Sequence, residues 1–149
     1  MIGLLQRVTT AKVTVNNKTI AQIGQGLLVF IGVEKRDTEQ TADRLLNKLF
    51  SYRVFNDEQG KLNLSLEDIH GEMLLVPQFT LPADTRKGLR PSFSASAPPE
   101  QGKKLFEYLI LQAKDRPEKI ASGEFGADMQ VLLVNDGPVT FWLQVNPER

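Results

Sequence analysis

The chain of 149 residues contains no cysteine and only one histidine, His70. Without cysteine it has no disulfide, no thiolate nucleophile and no cysteine-ligated metal, and such a composition suits a reducing compartment. A Ser-His-Asp arrangement would depend on His70, which stands in the polar turn Ile69-His70-Gly71-Glu72 and is predicted to be a solvated loop residue. Since no zinc-ligand spacing occurs either, we expect no metal.

Net charge and long apolar runs are also lacking. Eighteen basic and eighteen acidic residues cancel, so no global field attracts nucleic acid, and any RNA contact would rest on a local patch. No run approaches the ~20 apolar residues of a membrane span, and the N-terminus lacks the charged-then-apolar order of a signal peptide. We therefore expect a cytoplasmic protein with no membrane partner, folded as a single domain over residues 1–149.

Apolar patterning predicts both strands and helices. The run Leu27–Val33 is continuously apolar, as expected for a central strand covered on both faces. The other predicted strands alternate between apolar and polar residues or are bounded by turn residues. These strands are 2–8, 12–15, 19–23, 53–55, 62–64, 72–81, 129–133 and 139–145.

Two segments have apolar residues at helical spacing. The first runs from Thr38 to about Tyr52, with Asp37 and Gln40 as a predicted capping box, and the second runs from about Pro99 to Ala113. The proline-rich residues 82–99 between them and the preceding strand predict a long loop.

Two short motifs stand at strand ends. Asn135-Asp136-Gly137-Pro138-Val139-Thr140 joins two alternating runs, and by itself its Asp-Gly pair favours a simple hairpin turn with Pro138 beginning the next strand. Pro77-Gln78-Phe79-Thr80-Leu81 closes an apolar strand and opens the long loop.

Together the motifs resemble the D-aminoacyl-tRNA deacylase family, whose marks are a Ser-Gln-x-x-Leu strand end and a C-terminal Asn-x-Gly-Pro-Val-Thr. The likeness extends from Ile2-Gly3-Leu4-Leu5-Gln6-Arg7-Val8 to Phe141-Trp142-Leu143-Gln144-Val145. It implies an α+β fold of mainly antiparallel β-sheets with a barrel-like core and two main helices, assembled as an obligate homodimer. The implied activity is hydrolysis of the ester of D-aminoacyl-tRNA, and of mischarged glycyl-tRNA, with no cofactor and no DNA partner.

The resemblance also assigns site residues. Thr80 and Gln78 are implied to be catalytic, with the choice between the hydroxyl and the backbone N–H of Thr80 left open, and Phe79 is implied to form a pocket wall. Gly137 and Pro138 are implied to share a cis peptide bond and to reach into the partner subunit's site, where their carbonyls exclude L-substituents. Pro77 departs from the family pattern, because it lacks the hydroxyl and the N–H of the usual serine.

Three cations follow the first motif, within Thr85-Arg86-Lys87-Gly88-Leu89-Arg90. Arg86, Lys87 and Arg90 could meet phosphates near the acceptor end of a tRNA, although three charges in a loop are more often only solvated. Weaker candidates for the same role are Arg7, Lys35 and Arg36.

The residue inventory agrees with this activity and leaves two alternatives open. An aminoacyl ester is labile and lies beside a ribose 2′-hydroxyl, so a site that offers orientation and an oxyanion hole could be sufficient. The lack of an obvious acid-base pair instead favours a non-catalytic RNA-binding or dimerisation module. A small-ester or peptide hydrolase using Thr80 or a serine of 92–96 would cleave free esters without RNA.

Overall fold

The computed structural model describes residues 1–148, which form eight strands and three helices. The strands are β1 Ile2–Val15, β2 Lys18–Ile23, β3 Gly26–Gly32, β4 Phe55–Asn56, β5 Leu62–Leu64, β6 Glu72–Pro77, β7 Ile120–Ser122 and β8 Gln130–Gln144. The helices are α1 Glu39–Ser51, α2 Leu66–Ile69 and α3 Pro99–Lys114. None of the described helices is long and apolar enough to span a bilayer.

One six-stranded sheet, nearly closed into a barrel, forms the α+β fold. Its order is β2-β1-β3-β6-β7, with β8 paired along the other edge of β1. Pairs that involve β1 are antiparallel, whereas β3, β6 and β7 run parallel to one another. The predicted mainly antiparallel, barrel-like fold with two long helices is confirmed, while β7, α2 and the parallel pairs were not predicted.

The strand β3 is central, as its apolar run predicts, and it separates two hydrophobic cores. Leu27, Val29 and Ile31 face the core that α1 and α3 cover. Leu28 faces a second core inside the curved sheet, together with Leu74 of the neighbouring β6. Because successive strand residues point to opposite faces, a strand between two cores must be apolar throughout.

Both long helices agree with the sequence prediction, but the predicted cap of α1 is wrong. The N-cap is Thr38, whose Oγ1 accepts from the N–H of Thr41 at 3.3 Å while its own N–H donates to Thr41 Oγ1 at 3.1 Å. Asp37 is buried and instead accepts from the α-ammonium of Met1 at 2.8 Å and from the N–H of Glu34 at 2.7 Å. These donors occupy the carboxylate that the sequence pattern assigned to the cap.

The Gly-Pro motif is not a hairpin turn, contrary to the simplest interpretation of its Asp-Gly pair. Both flanking runs belong to β8, which follows β1 on either side of the motif. Gln6 pairs with Thr140 and Val8 pairs with Asn135, so residues 136–139 bulge out of the ladder. Extended bulges of this kind redirect the backbone without reversing the chain.

Candidate active site

The first motif forms a tight turn directly after β6. The N–H of Gln78 still bonds to the Ile31 carbonyl of β3 at 2.8 Å, and the N–H of Leu81 then closes the turn on the Gln78 carbonyl at 3.3 Å. The N–H of Ala83 bonds to the Thr80 carbonyl at 3.1 Å. The sheet therefore fixes one end of the turn, and Thr80 is exposed at its tip.

Pro77 is the last residue of β6 and pairs with Ile31 in the parallel ladder. Proline is tolerated at a strand end, because its missing N–H disrupts little of the hydrogen-bonded ladder there. The following residues form the turn without a hydroxyl at position 77.

Thr80 presents two groups with different surroundings. Its Oγ1 accepts a short hydrogen bond from the side-chain amide of Gln78, and no carboxylate or imidazole of residues 1–148 bonds to it. The backbone N–H groups of Phe79 and Thr80 donate to no other group in that part of the chain. The turn therefore offers free N–H donors to a ligand oxygen, while the hydroxyl has no base to activate it.

An apolar cavity of about 690 Å³ lies beside the turn. It is lined by Gln78 and Phe79 and by three further aromatic rings, those of Phe93, Phe106 and Phe125. The rings of Phe79 and Phe93 lie 5.4 Å apart at 48°, although the Phe79 side chain remains 63% exposed. A flat, largely apolar group fits a cavity of this size and lining.

Gly137 and Pro138 are joined by a cis peptide bond, as the family resemblance implies, and both are exposed. The side chain of Asn135 holds the bulge from inside, because its Oδ1 accepts from the N–H of Val139 at 2.8 Å and its Nδ2 donates to Thr140 Oγ1 at 2.9 Å. Neither Gly137 nor Pro138 lines the cavity beside the turn. In a single chain the Gly-Pro motif is therefore not part of the cavity beside the first motif.

Arg7 holds the bulge from the β1 side. Its guanidinium donates to the Asp136 carbonyl at 3.0 Å, to the Val54 carbonyl at 2.9 Å and to Asn56 Oδ1 at 3.3 Å. The residue is only 7% exposed. A buried guanidinium with protein acceptors is a structural clamp, so the weaker prediction that Arg7 contacts RNA phosphates is not supported. Sequence analysis missed the clamp because its acceptors come from distant segments.

The loop cations differ in their availability. Arg86 forms a two-bond ion pair with Asp84, at 3.0 Å and 2.8 Å, and these hydrogen bonds lower the pKa of the Asp84 carboxyl to about 2. Lys87 and Arg90 are exposed and form no ion pair within the described chain. Two of the three predicted phosphate ligands are therefore open to a partner.

His70 lies away from these features, as an exposed residue with left-handed backbone that caps α2. Residues 1–148 contain no cluster of three or more His, Cys, Asp or Glu side chains with the spacing of a metal site. Ser92 and Ser94 bond to each other at 3.2 Å and not to a base. Buried Ser96, in contrast, donates its hydroxyl to the Phe79 carbonyl at 3.1 Å.

Two sequence comparisons identify known proteins that are similar to this chain. The family model described as D-Tyr-tRNA(Tyr) deacylase matches residues 4–144. A protein of Pseudoalteromonas translucida named "D-aminoacyl-tRNA deacylase" is 60% identical over 145 residues, which are 97% of this chain and 100% of that relative.

Two solved structures have the same fold. One, described as "c-Myc DNA Unwinding Element Binding Protein", superposes with a TM-score of 0.93 at 40% identity over 99% of this chain and 100% of its own. The other, described as "Structural Analysis of a probable eukaryotic D-amino acid tRNA deacylase", has a TM-score of 0.81 at 20% identity over 95% and 97% of the two chains. At that identity the second comparison supports the fold alone.

Proposed function

The chain belongs to the D-Tyr-tRNA(Tyr) deacylase family, and from that premise we propose how its residues remove D-amino acids from tRNA. The enzyme is a hydrolase of carboxylic ester bonds that acts on D-aminoacyl-tRNA. The observation that carries this function is about 60% identity over nearly the whole chain with proteins of that name. Its tRNA substrate is the basis for expecting the protein in the cytoplasm.

The turn after β6 supplies the oxyanion hole. The ester carbonyl oxygen accepts hydrogen bonds from the N–H groups of Phe79 and Thr80, which stabilise the negative charge that develops as water attacks. Water adds to the carbonyl carbon, the bond to the 3′-oxygen of the ribose breaks, and that oxygen leaves protonated as the tRNA hydroxyl. The neighbouring 2′-hydroxyl orients the water, and Gln78 holds the Thr80 side chain in place.

The cavity beside the turn takes the terminal adenosine of the tRNA. Its volume of about 690 Å³ and its phenylalanine lining suit an adenine ring, which gains stacking and apolar contacts there. Lys87 and Arg90 continue from this end of the molecule and meet phosphates of the acceptor strand.

A second copy of the chain supplies the chiral filter. Gly137 and Pro138 are exposed, are held by the hydrogen bonds of Arg7 and Asn135, and lie outside the cavity lining of their own chain. Their carbonyls close the partner's site at the α-carbon, where an L-substituent would collide and a D-substituent would point outward. Because this filter depends only on the direction of the side chain at the α-carbon, glycyl-tRNA, which has no side chain there, is accepted as well.

The first test is deacylation of D-tyrosyl-, L-tyrosyl- and glycyl-tRNA by the purified protein, with and without a chelator. The proposal expects hydrolysis of the D and glycyl esters, rejection of the L ester and no effect of the chelator. A tRNA ending in 2′-deoxyadenosine is expected to be a poor substrate. Rejection of the D ester would overturn the function and favour the binding-module alternative.

Two further controls separate the remaining alternatives. Hydrolysis of free tyrosine esters at the rate of the tRNA ester would favour a small-ester hydrolase. The 40% identical structure is described as a protein that binds a DNA element, so duplex DNA is the matched competitor in a tRNA-binding assay. We expect no competition from DNA, and strong competition would contradict the predicted absence of a DNA partner.

A further inference from the structure

We propose that Ser96 is a positioning residue that orients the Thr80 N–H and strengthens it as a hydrogen-bond donor to the oxyanion. The inference rests on the proposed function, because it assigns a task to a residue that acts through the turn and not on the substrate. It begins with one contact, the 3.1 Å hydrogen bond from the Ser96 hydroxyl to the Phe79 carbonyl.

The Phe79 carbonyl and the Thr80 N–H belong to the same peptide group. Such a group is planar, and in its trans form the C=O and the N–H point in opposite directions. A hydrogen bond that fixes the carbonyl towards Ser96 therefore fixes the N–H on the opposite side, where it is free to meet a ligand. The same bond polarises the amide and makes its N–H a stronger donor.

Ser96 is itself held in place, so that it can serve as a reference point. The residues on either side bond to the chain that follows β3, since the Lys35 N–H donates to the Ala95 carbonyl at 3.2 Å and the Ala97 N–H donates to the Val33 carbonyl at 2.9 Å. The Ser96 side chain is buried. The loop is thus attached to the main sheet at the point from which the hydroxyl reaches the turn.

The other serines of this loop lack these properties. Ser92 and Ser94 are exposed, their hydroxyls bond to each other, and neither hydroxyl bonds to the turn. Pro77 also offers no hydroxyl to the turn. Ser96 is therefore the hydroxyl that supports the carbonyl of the Phe79–Thr80 peptide among the described residues.

The test compares Ser96→Ala with Ser94→Ala in deacylation of D-tyrosyl-tRNA. Ser96→Ala keeps the Thr80 N–H but no longer fixes its orientation, so kcat is expected to fall about tenfold. This loss is smaller than the 10²–10³-fold typical of deleting a donor, and KM is expected to change by less than about twofold. Ser96→Thr, which restores a hydroxyl, is expected to recover most of kcat, and Ser94→Ala is expected to leave both constants unchanged.

A second readout follows the peptide group directly. The amide ¹H and ¹⁵N resonances of Thr80 are expected to shift in Ser96→Ala and to stay in place in Ser94→Ala, because only the first change removes the hydrogen bond to its carbonyl. If Ser96→Ala does not fold, Ser96→Cys replaces it, since a thiol keeps the volume and is a weak donor.

The outcomes separate this inference from the function on which it rests. A wild-type protein that does not hydrolyse D-tyrosyl-tRNA overturns the proposed function itself. An active wild type together with a folded Ser96→Ala variant of unchanged kcat, or one that changes KM alone, overturns only the role of Ser96.

Discussion

At the scale of single residues, substitution can separate the contributions of the Thr80 hydroxyl and the Thr80 backbone N–H to the reaction. Thr80→Ala removes the hydroxyl and keeps the N–H, and because no base contacts Oγ1 we expect kcat to fall by less than about fivefold. Thr80→Pro removes the N–H too, and is expected to lower kcat about 100-fold or more. Single-turnover deacylation of D-tyrosyl-tRNA measures both, with thermal unfolding as the control for folding. Equal losses in the two variants would instead assign the chemistry to the hydroxyl.

Gly137 is a second residue with a definite expectation. Its φ of 138° is rarely adopted by residues with a side chain, and an added Cβ would lie 2.9 Å from the Val139 nitrogen and 2.7 Å from its Cγ2. In Gly137→Ala the bulge must shift, so we expect L-tyrosyl-tRNA to be hydrolysed while activity on the D ester stays within a few-fold of wild type. The ratio of the two kcat/KM values measures the effect.

Gly60→Ala is the matched control for that substitution. Gly60 also has a positive φ, of 77°, but nothing lies within 4 Å of its added Cβ. Both variants carry backbone strain of about 1–2 kcal/mol, yet only Gly137→Ala is expected to lose discrimination between the D and L esters. A folded Gly137→Ala variant that still rejects the L ester would contradict the filter.

The sequence predicts candidate residues where a motif is contiguous, and it misses contacts that only the fold creates. Gln78, Phe79 and Thr80 are neighbours, so their resemblance to the family motif was enough to locate the turn. Arg7 and Ser96 reach the same functional segments only through the fold, over 129 and 17 residues. No local pattern distinguishes such a serine or arginine from its solvated equivalents.

At the scale of elements, periodicity identified helices and strands but not their partners. The helical spacing of Leu45, Leu49, Leu105 and Leu109 correctly placed α1 and α3, because one apolar face must be buried. The alternating runs beside Gly137 were also correctly assigned as strands. Alternation says nothing about which strand lies alongside, however, so the pattern favours a hairpin where one bulged strand in fact pairs with β1.

The loop after the turn that follows β6 allows an electrostatic prediction. Lys87→Ala and Arg90→Ala are each expected to reduce the slope of log K against log salt for tRNA binding by about 0.7–0.9, the change expected for one lost phosphate contact. Replacing both residues by neutral side chains, Asp84→Asn with Arg86→Gln, removes their ion pair without changing the net charge. That double variant is expected to keep the wild-type slope.

Titration of binding affinity against salt concentration checks all three variants. A full unit of slope lost in the double variant would show that Arg86 leaves Asp84 to contact phosphate. Unchanged slopes for Lys87→Ala and Arg90→Ala would place the tRNA backbone on another surface.

At the scale of the whole molecule, the proposed site is divided between two parts of the chain. The N–H donors lie beside the cavity, whose lining includes neither Gly137 nor Pro138 of the exposed bulge. Next to the bulge, β8 exposes the apolar side chains of Leu132, Val134 and Trp142, which are 45%, 53% and 52% accessible. We expect this apolar strand face, beside the exposed Gly-Pro bulge, to form an interface between two copies of the chain. The sequence implies a dimer only through its family resemblance, since no residue pattern specifies a symmetric partner.

Mixed dimers test whether the filter acts across that interface. A Thr80→Pro subunit and a Gly137→Ala subunit, co-expressed with different tags and purified through both, share one competent set of N–H donors. If the filter acts across subunits, that site receives an intact Gly137 from the Thr80→Pro chain. The mixed dimer should therefore reject L-tyrosyl-tRNA while hydrolysing the D ester at about half the wild-type rate per dimer.

The pure variants define the limits of this experiment. Dimers of Thr80→Pro alone should be inactive, and dimers of Gly137→Ala alone should hydrolyse both esters. A filter that acts within its own subunit would instead leave the competent site of the mixed dimer with a substituted Gly137, and the mixed dimer would hydrolyse the two esters in the same L-to-D ratio as the Gly137→Ala dimer does. The ratio of L to D hydrolysis therefore distinguishes the two arrangements independently of the absolute rate, because each mixed dimer contains only one working site.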